Sequence, residues 1–583
     1  MAEIDGPLLQ RAEAWLKDDP DPATRAELSE LLARGDGDGI RERFTGTLQF
    51  GTAGLRGILG AGPNRMNRAV VVRATAGLCA WLKLEVSEAA ERGVCIGFDG
   101  RRMSRELARE AAEVVVGAGL RAHVFEEVVP TPLLAFSVLD RNACAGVMVT
   151  ASHNPPQYNG YKVYWGNGAQ IIPPHDDGIA GCIAAVPSVM RVPKVEYAQA
   201  RGDGRLVVLG QDVTKRYLDG VTRLTIHPEV PKAELVIAYT ALHGVGEPLF
   251  RAALAAAGFL RVHTVAEQAE PDGAFPTVAF PNPEEKGAMD LVLALAARER
   301  ADVVLANDPD ADRLAVAVRD EDGTYVTLNG NEIGCLLGHY LLSEGRGADR
   351  LVLSSVVSSP MLGAIAEAHD AHFEQTLTGF KWIANRAMEL ERHRGLSFVF
   401  GYEEALGYTV GTHVRDKDGI SAALTMAEMA AWCRSSGRSL LDERERMWRR
   451  YGLFLSRQVS VMMPGAEGAS AIAGVMERVR SSPPTEVASH AVTAFSDLLR
   501  ATRYPAGGVV EKLHYPPSDV LMLELEGGHR VMLRPSGTEP KIKFYFDVRI
   551  ALRQGEAVED GQARGQALLG VLVEGLRAIT GVA

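Results

Sequence analysis

Three aspartates at alternate positions follow an apolar run in the middle of the chain. They are Asp308, Asp310 and Asp312 in NDPDADRLAVAV, directly after ADVVLA. In an extended turn, carboxylates at this spacing can converge on one cation, and oxygen ligands suit Mg²⁺ or Ca²⁺ rather than Zn²⁺. An EF-hand is excluded because Arg313 and Arg319 stand where that loop needs glycine and glutamate. The pattern predicts a divalent-cation site with open coordination positions for a ligand oxygen.

A serine lies in a second loop that the sequence makes rigid. The string TASHNPPQYNGYKVY (150–164) follows the apolar run AGVMV, and its Asn-Pro-Pro and Asn-Gly turns hold Ser152 and His153 at a strand end. Lys162 comes ten residues after the serine and could fold back toward it. A serine-hydrolase triad is excluded because GxSxG is missing and the adjacent His153 is poorly placed as a triad base. Taken alone, the string also fits a solvated turn.

Two later loops carry groups that bind sugars and phosphates. GYEEALGY (401–408) places Glu403 and Glu404 beside a glycine turn, where carboxylates can accept hydrogen bonds from vicinal hydroxyls; an exposed helix start is the alternative. LRPSGTEPKIKFY (533–545) combines guanidinium, hydroxyl, backbone N–H and ammonium groups around a glycine, which are the ingredients of a phosphate cradle. The residues of that predicted cradle are Arg534, Ser536, Gly537, Thr538, Lys541 and Lys543.

Two shorter strings each offer one cation. GTAGLRG (51–57) places Arg56 on a loop flanked by glycines, and TLTGFKWI (376–383) contains Lys381. Each also has an ordinary structural interpretation, because an arginine can form an interior ion pair and a lysine can simply be solvated.

The elements that position these loops are strands alternating with helices. The strand patterns are Val94–Phe98, Gly146–Thr150, 233–240, 301–308 and 397–403. Their alternation with helical stretches predicts α/β units, whereas the period-two pattern of KIKFYFDV (541–548) predicts a smaller α+β domain. The predicted organisation is an N-terminal helical extension (1–45), α/β domains with the serine loop (46–205), the aspartate loop (206–322) and the glutamate loop (323–455), and a C-terminal α+β domain (485–583).

Composition excludes several classes of protein. The 583 residues are 46% hydrophobic and carry a net charge of −12, which argues against a nucleic-acid partner. Six scattered cysteines without CxxC give neither a disulfide framework nor a zinc site. An acidic N-terminus and the lack of a long apolar run predict a cytoplasmic protein with no membrane partner. No Gly-Lys dipeptide occurs, so a Walker A kinase is excluded.

Taken together and in this order, the loops resemble those of the α-D-phosphohexomutase superfamily, phosphoglucomutase type. The strings GTAGLRG, NGYKVYW, GFKW and EEALGY are most similar to its phosphopentomutase and glucose-1,6-bisphosphate synthase branch. The resemblance spans roughly residues 45 to 550. It implies an α/β fold of three successive α/β/α mixed-sheet domains plus a smaller C-terminal α+β domain around a central cleft.

The resemblance also implies a role for each loop. Ser152 would carry a phosphoryl group and share Mg²⁺ with the three aspartates, and Arg313 would support the phosphoserine or the metal loop. Glu403 and Glu404 would bind the sugar, and Arg56 and Lys381 would line the cleft. The distal phosphate would be held by Arg534, Ser536, Gly537, Thr538 and Lys543.

Proton transfer needs a positioned base, for which Lys162 is the candidate. A lysine beside Mg²⁺ and other cations is expected to have a lowered pKa, which suits this task. His153 is expected to support the loop, with a proton-shuttle role left open.

The implied reaction moves a phosphoryl group between C1 and a distal hydroxyl of a sugar phosphate. Glucose 1-phosphate and glucose 6-phosphate are the expected pair, with glucose 1,6-bisphosphate as activator and intermediate. Ala405 replaces the family's usual serine, so ribose, deoxyribose or mannose 1-phosphate are alternatives. A sugar phosphatase and a non-catalytic sugar-phosphate sensor are more remote alternatives. Sugar phosphates are the expected partners, and the expected assembly is a monomer or a weak homodimer.

Overall fold

The computed structural model describes residues 5–48, 54–463, 465–536 and 541–582, with the side chains of 465–467 excepted. Its first elements are three short helices, each preceded by an aspartate. The helices are α1 (Gly6–Asp18), α2 (Pro22–Ala33) and α3 (Gly37–Phe44). The side chains of Asp5, Asp21 and Asp36 accept hydrogen bonds from backbone N–H groups of the first turns, which satisfies donors that a helix start leaves unpaired.

The first sheet carries the serine loop. Its elements are β1 (Leu55–Ile58), α4 (Arg68–Glu85), α5 (Ala89–Arg92), β2 (Val94–Phe98), α6 (Ser104–Gly117), β3 (Ala122–Phe125), α7 (Thr131–Asp140), β4 (Ala145–Val149), β5 (Tyr158–Trp165), α8 (His175–Ala184), α9 (Tyr197–Gly202) and β6 (Leu206–Leu209). The strand order is β1-β5-β4-β2-β3-β6, with β5 antiparallel to both neighbours and the other pairs parallel. Because β6 pairs with β3, this sheet extends past residue 205, where the sequence pattern placed a boundary.

The second sheet carries the aspartate loop. Its elements are α10 (Gln211–Thr222), β7 (Val236–Thr240), α11 (Glu247–Ala256), β8 (Arg261–Thr264), α12 (Asp290–Glu299), β9 (Val303–Ala306), β10 (Ala315–Arg319) and β11 (Tyr325–Leu328). The order is β11-β10-β9-β7-β8, with parallel pairs around β7 and antiparallel pairs around β10. The aspartates follow β9 at its carboxyl end, where ligand sites of α/β sheets form.

The third sheet carries the glutamate loop. Its elements are α13 (Gly330–Ser343), β12 (Arg350–Ser355), α14 (Met361–Ala368), β13 (His372–Thr376), α15 (Phe380–Arg394) and β14 (Ser397–Glu403), followed along the chain by β15 (Gly407–Val410), α16 (Gly419–Ser435) and α17 (Leu440–Tyr451). Strand β12 is parallel to both β13 and β14. Glu403 and Glu404 lie at the end of β14.

The last sheet is antiparallel. Its elements are β16 (Leu453–Met462), α18 (Gly465–Ser481), β17 (Glu486–Val487), β18 (His490–Asp497), β19 (Thr502–Pro505), β20 (Glu511–Lys512), β21 (Leu521–Leu525), β22 (His529–Pro535), β23 (Lys541–Ile550) and α19 (Val558–Thr580). The order is β16-β23-β22-β21-β18-β19-β20, with β17 on β18, so the sheet already begins at Leu453.

Strand β23 follows its predicted alternation, but Tyr545 and Asp547 on the opposite face are buried as well. Ile542, Phe544, Phe546 and Val548 are fully buried, as the period-two pattern predicts. Tyr545 on the other face is buried as well, because it packs against a cluster of apolar residues. That cluster consists of Val356, Val357, Met522 and Met532. The strand is therefore covered on both faces over part of its length.

The chain divides into two compact units. One contains Met1–Asn329 and Leu406–Ser436, and the other contains Gly330–Ala405 and Gly437–Ala583. The predicted fold class of three mixed α/β/α domains and a C-terminal α+β domain is confirmed. Across the described ranges, no helix is both long and apolar enough to cross a lipid bilayer.

Candidate active site

Ser152 lies directly beyond β4 in a strained backbone conformation. Its φ of 51° is left-handed, which costs a residue other than glycine free energy and is typical of functional sites. Its backbone N–H donates to Thr150 Oγ1 at 2.8 Å. The buried hydroxyl Oγ lies 2.7 Å from Asp308 Oδ2 and 3.1 Å from His153 Nδ1. The serine hydroxyl and the aspartate loop, 156 residues apart in the chain, are therefore in direct contact.

A buried arginine that was not predicted from the sequence holds the serine loop. Arg101 follows β2 and donates to main-chain carbonyls around the loop, those of Ser152, Asn154, Pro155 and Tyr158. Asp99 orients it by accepting from the Arg101 backbone N–H, and the same carboxylate accepts from Thr150 Oγ1 at 2.6 Å. The string FDGRR after an apolar run was the available signal, but nothing local connects it to a loop about 50 residues later.

The aspartate loop turns tightly so that its side chains face one point. Asp308, Asp310 and Asp312 are fully buried, and one carboxylate oxygen from each lies within 4.8 Å of the others. Asp308 Oδ1 accepts from the Arg313 backbone N–H at 3.0 Å, and Asp310 Oδ2 accepts from Thr131 Oγ1 at 2.7 Å. This convergence agrees with the prediction from their spacing.

Lys162 on β5 contacts two carboxylates of the aspartate loop. Its ammonium donates to Asp310 Oδ2 at 2.7 Å and to Asp312 Oδ2 at 2.9 Å. Burial lowers the pKa of Lys162, but the two carboxylates outweigh burial, so its pKa is raised above the ordinary value. The expected lowering of this pKa is therefore corrected: in this structure the lysine is a buried ammonium.

The free carboxylate oxygens test whether the cluster could hold a cation. Asp310 Oδ1 and Asp312 Oδ1 are buried and have no hydrogen-bond partner among the described residues. Leaving a buried carboxylate oxygen without a partner is costly. Together with the third aspartate they form a set of hard oxygen donors, which fits a divalent cation such as Mg²⁺.

Further cations surround the cluster. Lys417 Nζ lies 3.4 Å from Asp312 Oδ2 and 3.2 Å from Asp416 Oδ1. Arg56 on β1 donates to Asn154 Oδ1 of the serine loop at 2.8 Å. Lys417 was not predicted, because it lies in RDKDG, far from the aspartates in the chain, and its neighbours carry no phosphate-binding pattern.

The His153 ring lies near Asp308, and the charge of the Arg313 guanidinium acts on that ring. The His153 imidazole is largely buried, with Nδ1 3.9 Å from Asp308 Oδ2. Burial, with the positive charges of Arg313 and Arg56, holds the pKa of His153 well below its ordinary value, so the ring is neutral near pH 7. The Arg313 guanidinium lies 3.6 Å from Glu284 Oε2.

The glutamates of the second unit are held by main-chain and hydroxyl donors. Glu403 Oε1 accepts from the Gly379 backbone N–H at 2.7 Å. Glu404 Oε2 accepts from Ser355 Oγ and Ser358 Oγ, each at 3.0 Å, and its own N–H donates to Ser358 Oγ. The serines come from SSVVSS at the end of β12, a hydroxyl cluster that the sequence analysis did not use.

The predicted phosphate loop lies in the same unit. Arg534 on β22 is paired in register with Lys543 on β23, and the Ser536 backbone N–H donates to the Lys541 carbonyl at 2.8 Å. Burial raises the pKa of the Tyr545 phenol, and among the charges acting on it are Glu404, Arg534 and Glu403. The sugar and phosphate residues therefore share one neighbourhood. The remaining members of the predicted cradle, Gly537 and Thr538, lie outside the described residues.

Arg530 and Lys381 are two further basic residues of the second unit. Arg530 on β22 donates to Asp547 Oδ2 at 2.7 Å and to the Ser358 carbonyl at 2.8 Å, which joins the loop after β12, whose serines hold Glu404, to the last sheet. Lys381 lies in the first turn of α15, shortly after Gly379, with its ammonium 5.4 Å from the centroid of the Trp382 ring.

Comparisons with known proteins agree with this geometry. Three family models match, described as phosphoglucomutase/phosphomannomutase alpha/beta/alpha domains I, II and III, over residues 47–189, 215–323 and 329–451. A probable phosphomannomutase of Haemophilus influenzae is 41% identical over 490 residues, covering 83% of this chain and 93% of that protein. The human phosphopentomutase is 36% identical over 575 residues, covering 93% of this chain and 92% of that protein.

A solved structure shares the fold. The putative phosphomannomutase from Thermus thermophilus superposes with a TM-score of 0.66 at 22% identity, over 92% of this chain and 99% of that one. The resemblance predicted from the loops is confirmed by the family models and by the curated relatives. The chain belongs to the phosphoglucomutase/phosphomannomutase family, whose members are phosphosugar mutases.

Proposed function

We propose that this mutase moves a phosphoryl group between C1 and the distal hydroxyl of glucose phosphate through phosphoserine at Ser152. The single observation that carries the proposal is the contact between Ser152 Oγ and Asp308 Oδ2 at 2.7 Å. It places a reactive hydroxyl on the edge of a carboxylate cluster that has free oxygens at Asp310 and Asp312. A phosphoryl group on that hydroxyl would sit where a cation bound by these oxygens can neutralise its charge.

Mg²⁺ is the proposed cation, and Asp308, Asp310, Asp312 and the oxygen on Ser152 would hold it. When bound, it supplies charge neutralisation and orientation for in-line transfer. Lys162 and Lys417 add fixed positive charge around Asp312 from the protein itself. Cationic and cation-binding groups gathered around one hydroxyl favour transfer of a dianionic group over acyl chemistry.

The phosphoryl step requires one base and one acid. A sugar hydroxyl attacks phosphorus, its O–P bond forms, the Ser152 Oγ–P bond breaks, the hydroxyl proton leaves to a base, and the serine oxygen takes a proton from an acid. In the return half of the cycle the Ser152 hydroxyl attacks the other phosphoryl group of the bisphosphate. His153 is neutral and 3.1 Å from Ser152 Oγ, which suits it to accept the serine proton in that half. Lys162 is an ammonium and suits the acid role for the departing sugar oxygen. When the phosphoserine transfers its group to the sugar, the two roles reverse.

The second unit supplies recognition in this proposal. Glu403 and Glu404 would accept hydrogen bonds from sugar hydroxyls, and the phosphate that does not react would be held by Arg534, Ser536, Gly537, Thr538 and Lys543. Glu404 is already oriented by two serine hydroxyls, so it loses little side-chain entropy on binding. Lys381 and Arg313 are proposed as further cations for the substrate phosphates.

A pentose 1-phosphate is the second candidate substrate, and Ala405 is the residue that favours it. The family's usual serine at this position offers a hydroxyl to the sugar, and alanine cannot. The human phosphopentomutase matches nearly the whole chain, which supports the same candidate.

Replacing Ser152 tests the chemistry. The Ser152→Ala variant should lose isomerase activity by about 10⁴-fold or more, because the phosphoryl carrier is gone. Mass spectrometry of the wild-type protein should find one added phosphoryl group on the peptide that contains Ser152. Inorganic phosphate is measured in the same assay: a mutase conserves ester phosphate, whereas steady release would identify a phosphatase.

A substrate panel tests the specificity. The quantity compared is kcat/KM for glucose, mannose and ribose 1-phosphates, each with its matching bisphosphate. Ala405→Ser should raise the glucose-to-ribose ratio by about five- to tenfold through one added hydrogen bond. A ratio unchanged by this substitution would remove residue 405 from sugar discrimination.

A further inference from the structure

The carboxylate of Glu27 connects the N-terminal helices to the loop that follows β1. Glu27 on α2 accepts from the Ala61 backbone N–H at 2.9 Å through Oε2. Its other oxygen accepts from Arg43 Nε at 3.1 Å and from a second guanidinium nitrogen at 2.9 Å. The Arg43 carbonyl in turn accepts from the Asn64 backbone N–H at 3.0 Å. One side chain thus ties two helices of the extension to the same short loop.

The loop also packs closely against the helices of the extension. Ala61 is fully buried inside the core of the extension, together with Leu8, Leu28 and Phe44. Gly62 has a φ of 105°, and a Cβ there would lie 2.9 Å from the Arg43 Cβ, so a larger residue would push the helix away. The loop is therefore built into the extension rather than lying against it.

The same loop fixes the end of β1, which carries Arg56. Strand β1 is at the edge of its sheet, with β5 as its neighbour. Beyond Ile58 the chain turns back, and the Met66 backbone N–H donates to the Ile58 carbonyl at 2.8 Å. Asn67 closes the turn by donating to the Gly60 and Gly62 carbonyls. An edge strand with one neighbour depends on such end contacts to stay in place.

Arg56 connects this strand to the reacting serine. It is opposite Gly160 in the register of β1 and β5, and its guanidinium donates to Asn154 Oδ1, two residues after Ser152. The contacts run without a gap from Glu27 through Ala61 and β1 to the serine loop.

We propose that Glu27 is a positioning residue for the mutase reaction, acting through β1 to hold Arg56 on the serine loop. The inference rests on the proposed function, in which Ser152 carries the phosphoryl group, and on the cleft-lining role that the resemblance implies for Arg56. The N-terminal extension lies outside the segments that the family models match. The proposal gives this extension a part in catalysis. A displacement of a catalytic group by a fraction of an ångström is enough to slow a positioned reaction substantially.

The experiment is a double-mutant cycle measured as kcat and KM with glucose 1-phosphate. Glu27→Ala should lower kcat about tenfold and change KM less than about twofold, because the sugar contacts lie elsewhere. Glu27→Gln keeps an oxygen for the Ala61 N–H and should recover most of the lost kcat. Glu30→Ala is the matched control: Glu30 lies one turn along the same helix, is exposed, and pairs with Arg34 on the surface.

The cycle uses Arg56→Lys as the second site, since lysine keeps the charge but cannot reproduce the guanidinium contact. In this background Glu27→Ala should change kcat less than about twofold, whereas independent effects would multiply. The proposal is overturned if the fold-changes in kcat of the two substitutions multiply. It is also overturned if Glu27→Ala or Arg56→Lys has the wild-type kcat. A thermal unfolding midpoint is measured for every variant. If Glu27→Ala does not fold, Glu27→Asp takes its place in the cycle, because the shorter side chain cannot hold both the Ala61 N–H and Arg43.

The outcome is separable from that of the proposed function. An active Ser152→Ala enzyme overturns the phosphoserine chemistry itself. An inactive Ser152→Ala with multiplying Glu27 and Arg56 effects leaves that chemistry intact and removes the extension from it.

Discussion

The cluster around Ser152 and the loops around Glu404 are built in different ways. The carboxylates of the first are fully buried, and they are met by a lysine ammonium or by hydroxyl groups. In the second, Glu403, Glu404 and Arg534 are partly exposed, and the glutamates are held mainly by backbone and serine donors. The difference suggests that the reacting centre is preorganised before a ligand arrives, whereas the recognition loops keep polar atoms at the surface for the ligand.

The strongest test of this difference is to remove one carboxylate charge from the buried cluster. Asp310→Asn should lower kcat about 10³-fold, since a carboxylate that faces the proposed cation is lost. In wild-type protein, dialysis against a chelator should abolish activity, Mg²⁺ should restore it, and Mg²⁺ should raise the thermal midpoint.

The control for this change is Asp320→Asn, an exposed aspartate after β10. It should leave both the activity and the Mg²⁺-dependent stabilisation as in the wild type. An Asp310→Asn protein that Mg²⁺ still stabilises fully would show that the three aspartates are not the cation site.

A smaller effect is expected in the second region. Glu404→Ala should raise KM about ten- to hundredfold, because a charged acceptor of hydroxyl hydrogen bonds contributes roughly 1.5–3 kcal/mol. The kcat should fall less than KM rises. Glu367→Ala, an exposed glutamate on α14 in the same unit, is the matched control. A loss confined to kcat would place Glu404 in the chemistry and remove the proposed division of labour.

The smallest and most discriminating test removes one supporting hydroxyl from each region. Thr131→Val takes a 2.7 Å hydrogen bond from Asp310, and Ser355→Ala takes a 3.0 Å hydrogen bond from Glu404. Each should cost about fivefold, the usual net value of one hydrogen bond, but in different constants: kcat for Thr131→Val and KM for Ser355→Ala. The same constant changing in both variants would contradict the comparison.

The sequence predicted the loops better than it predicted their supports. Asp308, Asp310 and Asp312 have a spacing with chemical meaning, and strand patterns such as 397–403 coincide with β14. Period and spacing are local properties, so they survive in a single sequence. Asp99 and Arg101 act on a distant loop, and Lys417 acts on an aspartate still farther away in the chain. No local pattern records such contacts.

The Lys162 pKa shows the same limit in energetic terms. The sequence predicted cations around this lysine, whereas in the structure two carboxylates contact it. The sign of a pKa shift depends on which charges lie within a few ångströms, and that information comes from the packing of two sheets. The alanine at position 405, by contrast, is visible in the sequence without any knowledge of the packing.

The Arg530 contacts have a consequence for the size of sugar that fits. A single guanidinium holds the Ser358 carbonyl and Asp547, so it connects the loop whose serines orient Glu404 to the strand that leads to Arg534. In the proposed function, this connection would set the distance between the group that binds the free hydroxyls and the group that binds the phosphate. Changing that distance, rather than the proposed phosphoryl-carrying serine, is then the route by which this scaffold would exchange one sugar for another.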